Sequence, residues 1–213
     1  MTRRLVAWTG LVSALAAVNY VGRATSGNPA RDSLYHYSVA AGNFAAYVVI
    51  FALLLWIVAG RYELFALRRL HARKRALKYM TGILVATYVV VAALEPVLHA
   101  GREQGITPPR WEPGHAGAYA ANFVVIAVVA PVVEELLFRG AGYSLLERFG
   151  RWPAIVLVGV AFALSHGLVQ GLPPLVFFGS ALAWLRSKTA SVYPGMAVHA
   201  VFNGVQLVLA VTL

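Results

Sequence analysis

The chain has no cysteine, and Asp32 is the single aspartate among its eight acidic residues. The missing cysteine excludes disulfides, thiolate metal sites and cysteine nucleophiles. The lone aspartate excludes an aspartyl protease, which needs two aspartates in one site. H-E-x-x-H, the zinc signature of the site-2 metalloprotease route, does not occur. Charge is scarce too: 12% of the 213 residues are charged and 60% are hydrophobic, whereas soluble domains are about 25% charged. A soluble fold of this size has no means of hiding so much apolar surface, so a bilayer is the solvent for most of the chain. No polar stretch is long enough for a second domain, and there is no internal repeat or low-complexity tract.

What is present is a series of apolar runs. A span of the roughly 30 Å hydrocarbon core takes about 20 residues. Seven candidates are expected, at about Leu5–Val21, Ser38–Ala59, Tyr79–Leu98, Ala118–Leu137, Ala154–Leu172, Leu175–Leu185 and Val192–Leu213. The sixth is short and follows Pro173-Pro174. The first resembles a signal peptide, with Arg3 and Arg4 ahead of it, but it is long and lacks a small-residue cleavage site before Tyr20, so it reads as a retained helix. The expected fold is an all-α polytopic bundle of about seven spans, forming one domain over 1–213. Its N-terminal spans fill 1–100 and its motif-bearing core 118–208.

Lys and Arg set the orientation. With the N-terminus cytoplasmic, inner segments hold fourteen of the 18 basic residues; Arg23, Arg31, Arg102 and Arg110 lie outside. The largest group runs from Arg61 to Lys78. The net charge of +10 is thus a topology signal at an anionic membrane face, and a nucleic-acid partner is not expected. Membrane lipids are.

Ionisable groups inside spans each cost at least about 2.5–3.5 kcal/mol on the insertion scale, which makes them functional candidates. They are Glu95, the adjacent Glu134 and Glu135 with Arg139, His166, and His199 with Asn203 nearby. On a helix Glu135 and Arg139 stand one turn apart and can pair. Glu134 points about 100° away and is free to act as a base. Glu134 is 14 residues before Arg148, His166 is 14 after Trp152, and His199 and Asn203 are 11 and 15 after Lys188. At about 1.5 Å per residue these groups share a layer roughly 16–23 Å from the inner flank. Taken singly, each has a plainer reading: a packing histidine, a structural ion pair, an asparagine holding two helices together. Agreement in depth across three spans points to a site. Glu95, beside Pro96, reads as a snorkelling or packing residue, and His99, Glu103, Glu112 and His115 read as solvated loop residues.

Peptide hydrolysis in a bilayer needs a nucleophile, a base and an oxyanion site. A serine route is disfavoured because Ser144 and Ser165 lack a G-x-S-G setting. There remains a glutamate that activates water with histidine assistance, and His199 with Asn203, one turn apart, could donate to an oxyanion.

Three motifs carry a resemblance. Glu134-Glu135-Leu-Leu-Phe-Arg139 resembles E-E-x-x-x-R, Phe162-Ala-Leu-Ser-His166 resembles F-x-x-x-H, and His199-Ala-Val-Phe-Asn203 resembles H-x-x-x-N/D. In this order they resemble the CAAX prenyl protease and bacteriocin-processing family, also called CPBP or Abi proteins, over about Ala118 to Val208. The resemblance implies a helical bundle with an intramembrane cavity. It implies Glu134 as the base, His166 positioning the water, and His199 and Asn203 as the oxyanion site. Glu135, Arg139 and Phe162 would support them. No cofactor is expected, although a Zn²⁺ on Glu134, His166 and His199 is chemically possible. The expected protein is an intramembrane endopeptidase acting on a peptide or membrane-protein substrate, lipidated or not, in a prokaryotic plasma membrane. The alternatives are a non-catalytic scaffold or immunity protein of the same family, and a proton-coupled transporter relaying through Glu95, Glu134 and His166.

Overall fold

The computed structural model describes residues 2–27, 29–104, 108 and 110–212; Met1 and Leu213, the ends of the expected domain, lie outside them. Among the described residues all regular structure is helical, as backbone immersed in hydrocarbon must be unless it closes a barrel. The elements are α1 Thr2–Ser26, α2 Tyr37–Val58, α3 Arg73–Leu98, a short α4 Ala100–Gln104, α5 Pro113–Phe149, α6 Arg151–Leu164, α7 Leu172–Thr189 and α8 Tyr193–Thr212. The chain is a multi-pass membrane protein by these helices: α1, α2, α3, α5 and α8 are each long and apolar enough to cross a bilayer. Their outward faces carry residues such as Val49, Leu53, Val85, Val89 and Val201, while Glu135 and Arg139 lie fully buried. Apolar outside and polar inside is the arrangement that lipid selects.

The expected span Ala154–Leu172 is not one helix. α6 ends at Leu164 after 14 residues, about 21 Å of helix, and residues Ser165–Gly171 form a turn leading to α7. His166 is therefore in an irregular segment rather than at the middle of a helix. The break centres on Gly167, whose φ is +65° and where an added Cβ would come within 2.8 Å of Asn19 in α1. The exposed backbone is satisfied by other elements, as non-helical chain inside a membrane protein requires. Asn19 Nδ2 donates to Ser165 O (2.6 Å) and the Tyr20 hydroxyl to Leu168 O (3.0 Å). The Glu103 carboxylate accepts the N–H groups of Val169 and Gly171 at 2.7 and 2.9 Å. Glu103 is thus a clamp on the turn and not a solvated loop residue, which corrects the expectation above. The sixth segment, expected at Leu175–Leu185, extends to the 18 residues of α7, with Pro173 and Pro174 in its first turn, where a missing N–H costs nothing.

α5 is a continuous helix of 37 residues and runs well past the Ala118–Leu137 expected of it. Within it, Val125–Val129 and Leu136–Gly142 are π-helical and flank the α-helical turn Ala130–Glu135. Such wide turns are frequent at functional sites because they re-aim side chains without ending the helix. α6 and α7 approach closely: a Cβ on Gly179 would come within 2.9 Å of the Gly159 carbonyl oxygen, the small-residue packing by which membrane helices associate.

Candidate active site

At the centre, Arg139 Nη1 and Glu135 Oε1 are 2.7 Å apart, with neither side chain exposed. The pair is not left to itself. Arg139 Nη2 donates to Gly179 O on α7 at 2.9 Å, and the guanidinium carbon lies 4.3 Å from the Phe162 ring centroid. Glu135 Oε1 also meets His199 Nδ1 at 3.2 Å. Its other oxygen lies against Gly195 of α8, where any Cβ would collide with it. Glycine at this position lets α8 close onto the carboxylate. A buried ion pair is tolerated when its remaining donors and acceptors find partners; here three helices supply them. Phe162 packs edge-on to both histidine rings, at 4.6 Å from His166 and 5.6 Å from His199.

Glu134 faces the other way. Its Oε1 accepts the Tyr47 hydroxyl at 2.5 Å. Its Oε2 is buried and has no hydrogen-bond donor from the protein, and it faces His166 Nε2 at 3.9 Å and His199 Nε2 at 3.8 Å. Both rings are fixed through the opposite nitrogen: His166 Nδ1 lies 2.7 Å from Phe162 O, and His199 Nδ1 is on Glu135. A carbonyl and an ion-paired carboxylate can only accept, so each Nδ1 carries a proton and each Nε2 is presented to Glu134. A cavity of about 180 Å³ opens beside this cluster, lined by Leu15, Asn19, Tyr47, Glu134, Phe138 and His166 among others.

The spacing of the three groups discriminates between occupants. A water about 2.8 Å from both members of a pair 3.8–3.9 Å apart sees them at about 90°, an ordinary hydrogen-bonding angle. At a Zn²⁺ about 2.0–2.1 Å from each, the same two atoms would subtend roughly 130–155°, far from tetrahedral. Among the described residues no group of three or more His, Asp or Glu side chains has a metal-holding arrangement. The donor set does not fit a zinc ion in this geometry, and no step is assigned to one.

Of the residues singled out from sequence, Glu134, Glu135, Arg139, Phe162, His166 and His199 come together. Asn203 is one turn away, and its Nδ2 donates to Ile126 O on α5 at 2.9 Å. The partner has a local cause. Ala130 N–H reaches back to Val125 O in the π-helical segment; the next N–H in line, which would reach Ile126 O, belongs to Pro131 and does not exist. Asn203 satisfies that carbonyl with one N–H and keeps a second. Glu95 is outside the cluster and accepts the N–H of Gly101 at 3.2 Å. His115, in the first turn of α5, pairs with Glu112 just before it at 3.0 Å, also outside the cluster. Sequence reasoning missed Tyr47, Asn19 and Tyr20 and misread Glu103, all in the half without motifs; a hydroxyl in the middle of the apolar run Ser38–Ala59 was the available signal for Tyr47.

Residues 116–205 match the family described as Type II CAAX prenyl endopeptidase Rce1-like, which bears out the resemblance drawn from the three motifs. All seven residues named for the site and its support fall inside the matched segment. No curated protein and no solved structure matches the chain.

Proposed function

From the Rce1-like character of residues 116–205, we propose that this multi-pass membrane protein is an intramembrane endopeptidase in which Glu134 activates water. The observation that carries the reading is the unpaired Glu134 Oε2 facing two histidine Nε2 atoms whose Nδ1 sides are both anchored. A water held between Oε2 and His166 Nε2 gives a proton to Oε2 as its oxygen attacks the scissile carbonyl. Oε2 then returns that proton to the leaving amine. His199 with a proton on both nitrogens donates through Nε2 to the developing oxyanion, with Glu135 steadying the imidazolium in the way a triad carboxylate does. The second N–H of Asn203, on the same face of α8 as His199, is the other oxyanion donor. Glu135 and Arg139 hold this arrangement without touching substrate. The substrate is a peptide or membrane-protein segment, lipidated or unlipidated, and the setting is a prokaryotic plasma membrane with the N-terminus cytoplasmic.

The test is cleavage of a panel of fluorogenic peptides, with and without a C-terminal lipid, by protein in nanodiscs. Wild type is expected to cut at least one member, His166→Ala and His199→Ala to lose most of the rate, and Glu134→Gln to be inert. Wild-type rates from Glu134→Gln protein would sink the proposal.

A further inference from the structure

Tyr47 stands on α2, which carries none of the three motifs and lies outside the segment matched by the family, yet its hydroxyl makes the one protein hydrogen bond that the Glu134 carboxylate has among the described residues. At 2.5 Å the contact falls in the range of a charge-assisted O–H···O⁻ bond. A carboxylate on an otherwise mobile glutamate can rotate about its last torsion and exchange its two oxygens. Here the exchange is blocked: Oε1 is tied to α2, and Oε2 is left toward His166 and His199. Tyr47 also lines the cavity together with Asn19 and His166, so the anchor sits where substrate would arrive.

We propose that Tyr47 is the positioning residue of the base: it fixes Glu134 by Oε1 and thereby assigns the proton transfer to Oε2. The proposal deepens the endopeptidase reading and rests on it. The motif-bearing helices α5, α6 and α8 then supply the reacting groups, while α2 sets the orientation of the central one. A competent site therefore requires the N-terminal helices and not the matched segment alone.

Tyr47→Phe keeps the ring and removes the donor. In full-length protein in nanodiscs kcat is expected to fall roughly 10–100-fold, the range for losing a group that orients a catalytic side chain. KM is expected to stay within about twofold and the melting temperature close to wild type. In infrared difference spectra the carboxylate band absent from Glu134→Gln protein is expected to shift in Tyr47→Phe protein, a signature that loss of packing alone does not produce. Should Tyr47→Phe fold poorly, fluorotyrosine placed at position 47 changes the donor strength at nearly constant volume, and kcat should again move without KM. Unchanged kcat in the Phe variant with Glu134→Gln inert overturns this proposal alone, as does an unshifted carboxylate band. A Glu134→Gln enzyme that cuts normally overturns the endopeptidase reading, and this proposal with it.

Discussion

Replacing Glu135 with Gln preserves shape and removes charge, which isolates the electrostatic part of the central ion pair. The variant leaves the Arg139 guanidinium, fully buried, without a counter-ion; its bond to Gly179 O and its contact with the Phe162 ring remain. Breaking one side of a buried pair costs about 3–5 kcal/mol. His199 Nδ1 keeps an amide oxygen as acceptor, so no further large loss is added. For a chain of this size 1 kcal/mol moves the melting temperature by about 2–4 °C, so a fall of roughly 6–20 °C is expected. Glu134→Gln is the matched control. Its Oε2 has no protein donor to lose and its Oε1 can still accept from Tyr47 as an amide oxygen, so the expected change is under about 1 kcal/mol. The double variant Glu135→Gln, Arg139→Gln removes both charges and should lose clearly less than the sum of the two singles. Thermal unfolding in nanodiscs, followed by intrinsic fluorescence, measures Glu134→Gln, Glu135→Gln, Arg139→Gln and the double variant against wild type. Equal melting points for Glu134→Gln and Glu135→Gln, or additive losses in the double variant, would refute the division between a structural and a free carboxylate.

Four further outcomes follow from the same geometry. Gly195→Ala places a Cβ against Glu135 Oε2 and should destabilise by about 1–3 kcal/mol, whereas Gly42→Ala, with open space around it, should not; melting curves separate the two. Asn203→Ala strands the Ile126 carbonyl and should cost about 1–3 kcal/mol, and adding Pro131→Ala should recover part of that stability by restoring an N–H, without restoring cleavage if Asn203 also serves the oxyanion. Glu103→Gln weakens the clamp on the N–H groups of Val169 and Gly171, and hydrogen exchange should accelerate in the turn carrying His166 more than in α8. Dialysis against a chelator should leave cleavage unchanged, and a proportional loss restored by zinc would show that the site rearranges to hold a metal.

The parts of this molecule written in local patterns were readable before the structure. Long apolar runs gave the helices, and the spacing of Glu135 and Arg139 gave their pairing, because one helical turn brings such residues together in any context. Similar distances from the inner flank, counted from Arg148, Trp152 and Lys188, pointed to one layer for Glu134, His166 and His199. What escaped was set by contacts distant in sequence. The unwinding after Leu164 depends on Asn19, Tyr20 and Glu103, which lie 66 or more residues from the groups they bond and have no motif. Hydropathy reads Ala154–Leu172 as continuous because the turn residues Gly167, Leu168, Val169 and Gly171 are not polar. Tyr47 was overlooked because a tyrosine in an apolar helix is usually packing, and only its neighbour across the bundle gives the hydroxyl a purpose. The Ile126 carbonyl could have been anticipated from Pro131, but not the helix that supplies its donor.

The most direct test of the central claim is turnover by Glu134→Gln protein beside wild type, in nanodiscs, on a substrate that wild type cuts. The account predicts a protein with wild-type melting temperature and no detectable cleavage. Cleavage at the wild-type rate by a folded Glu134→Gln variant would contradict it, since no other carboxylate in the site is both free of an arginine partner and turned toward the two histidine Nε2 atoms.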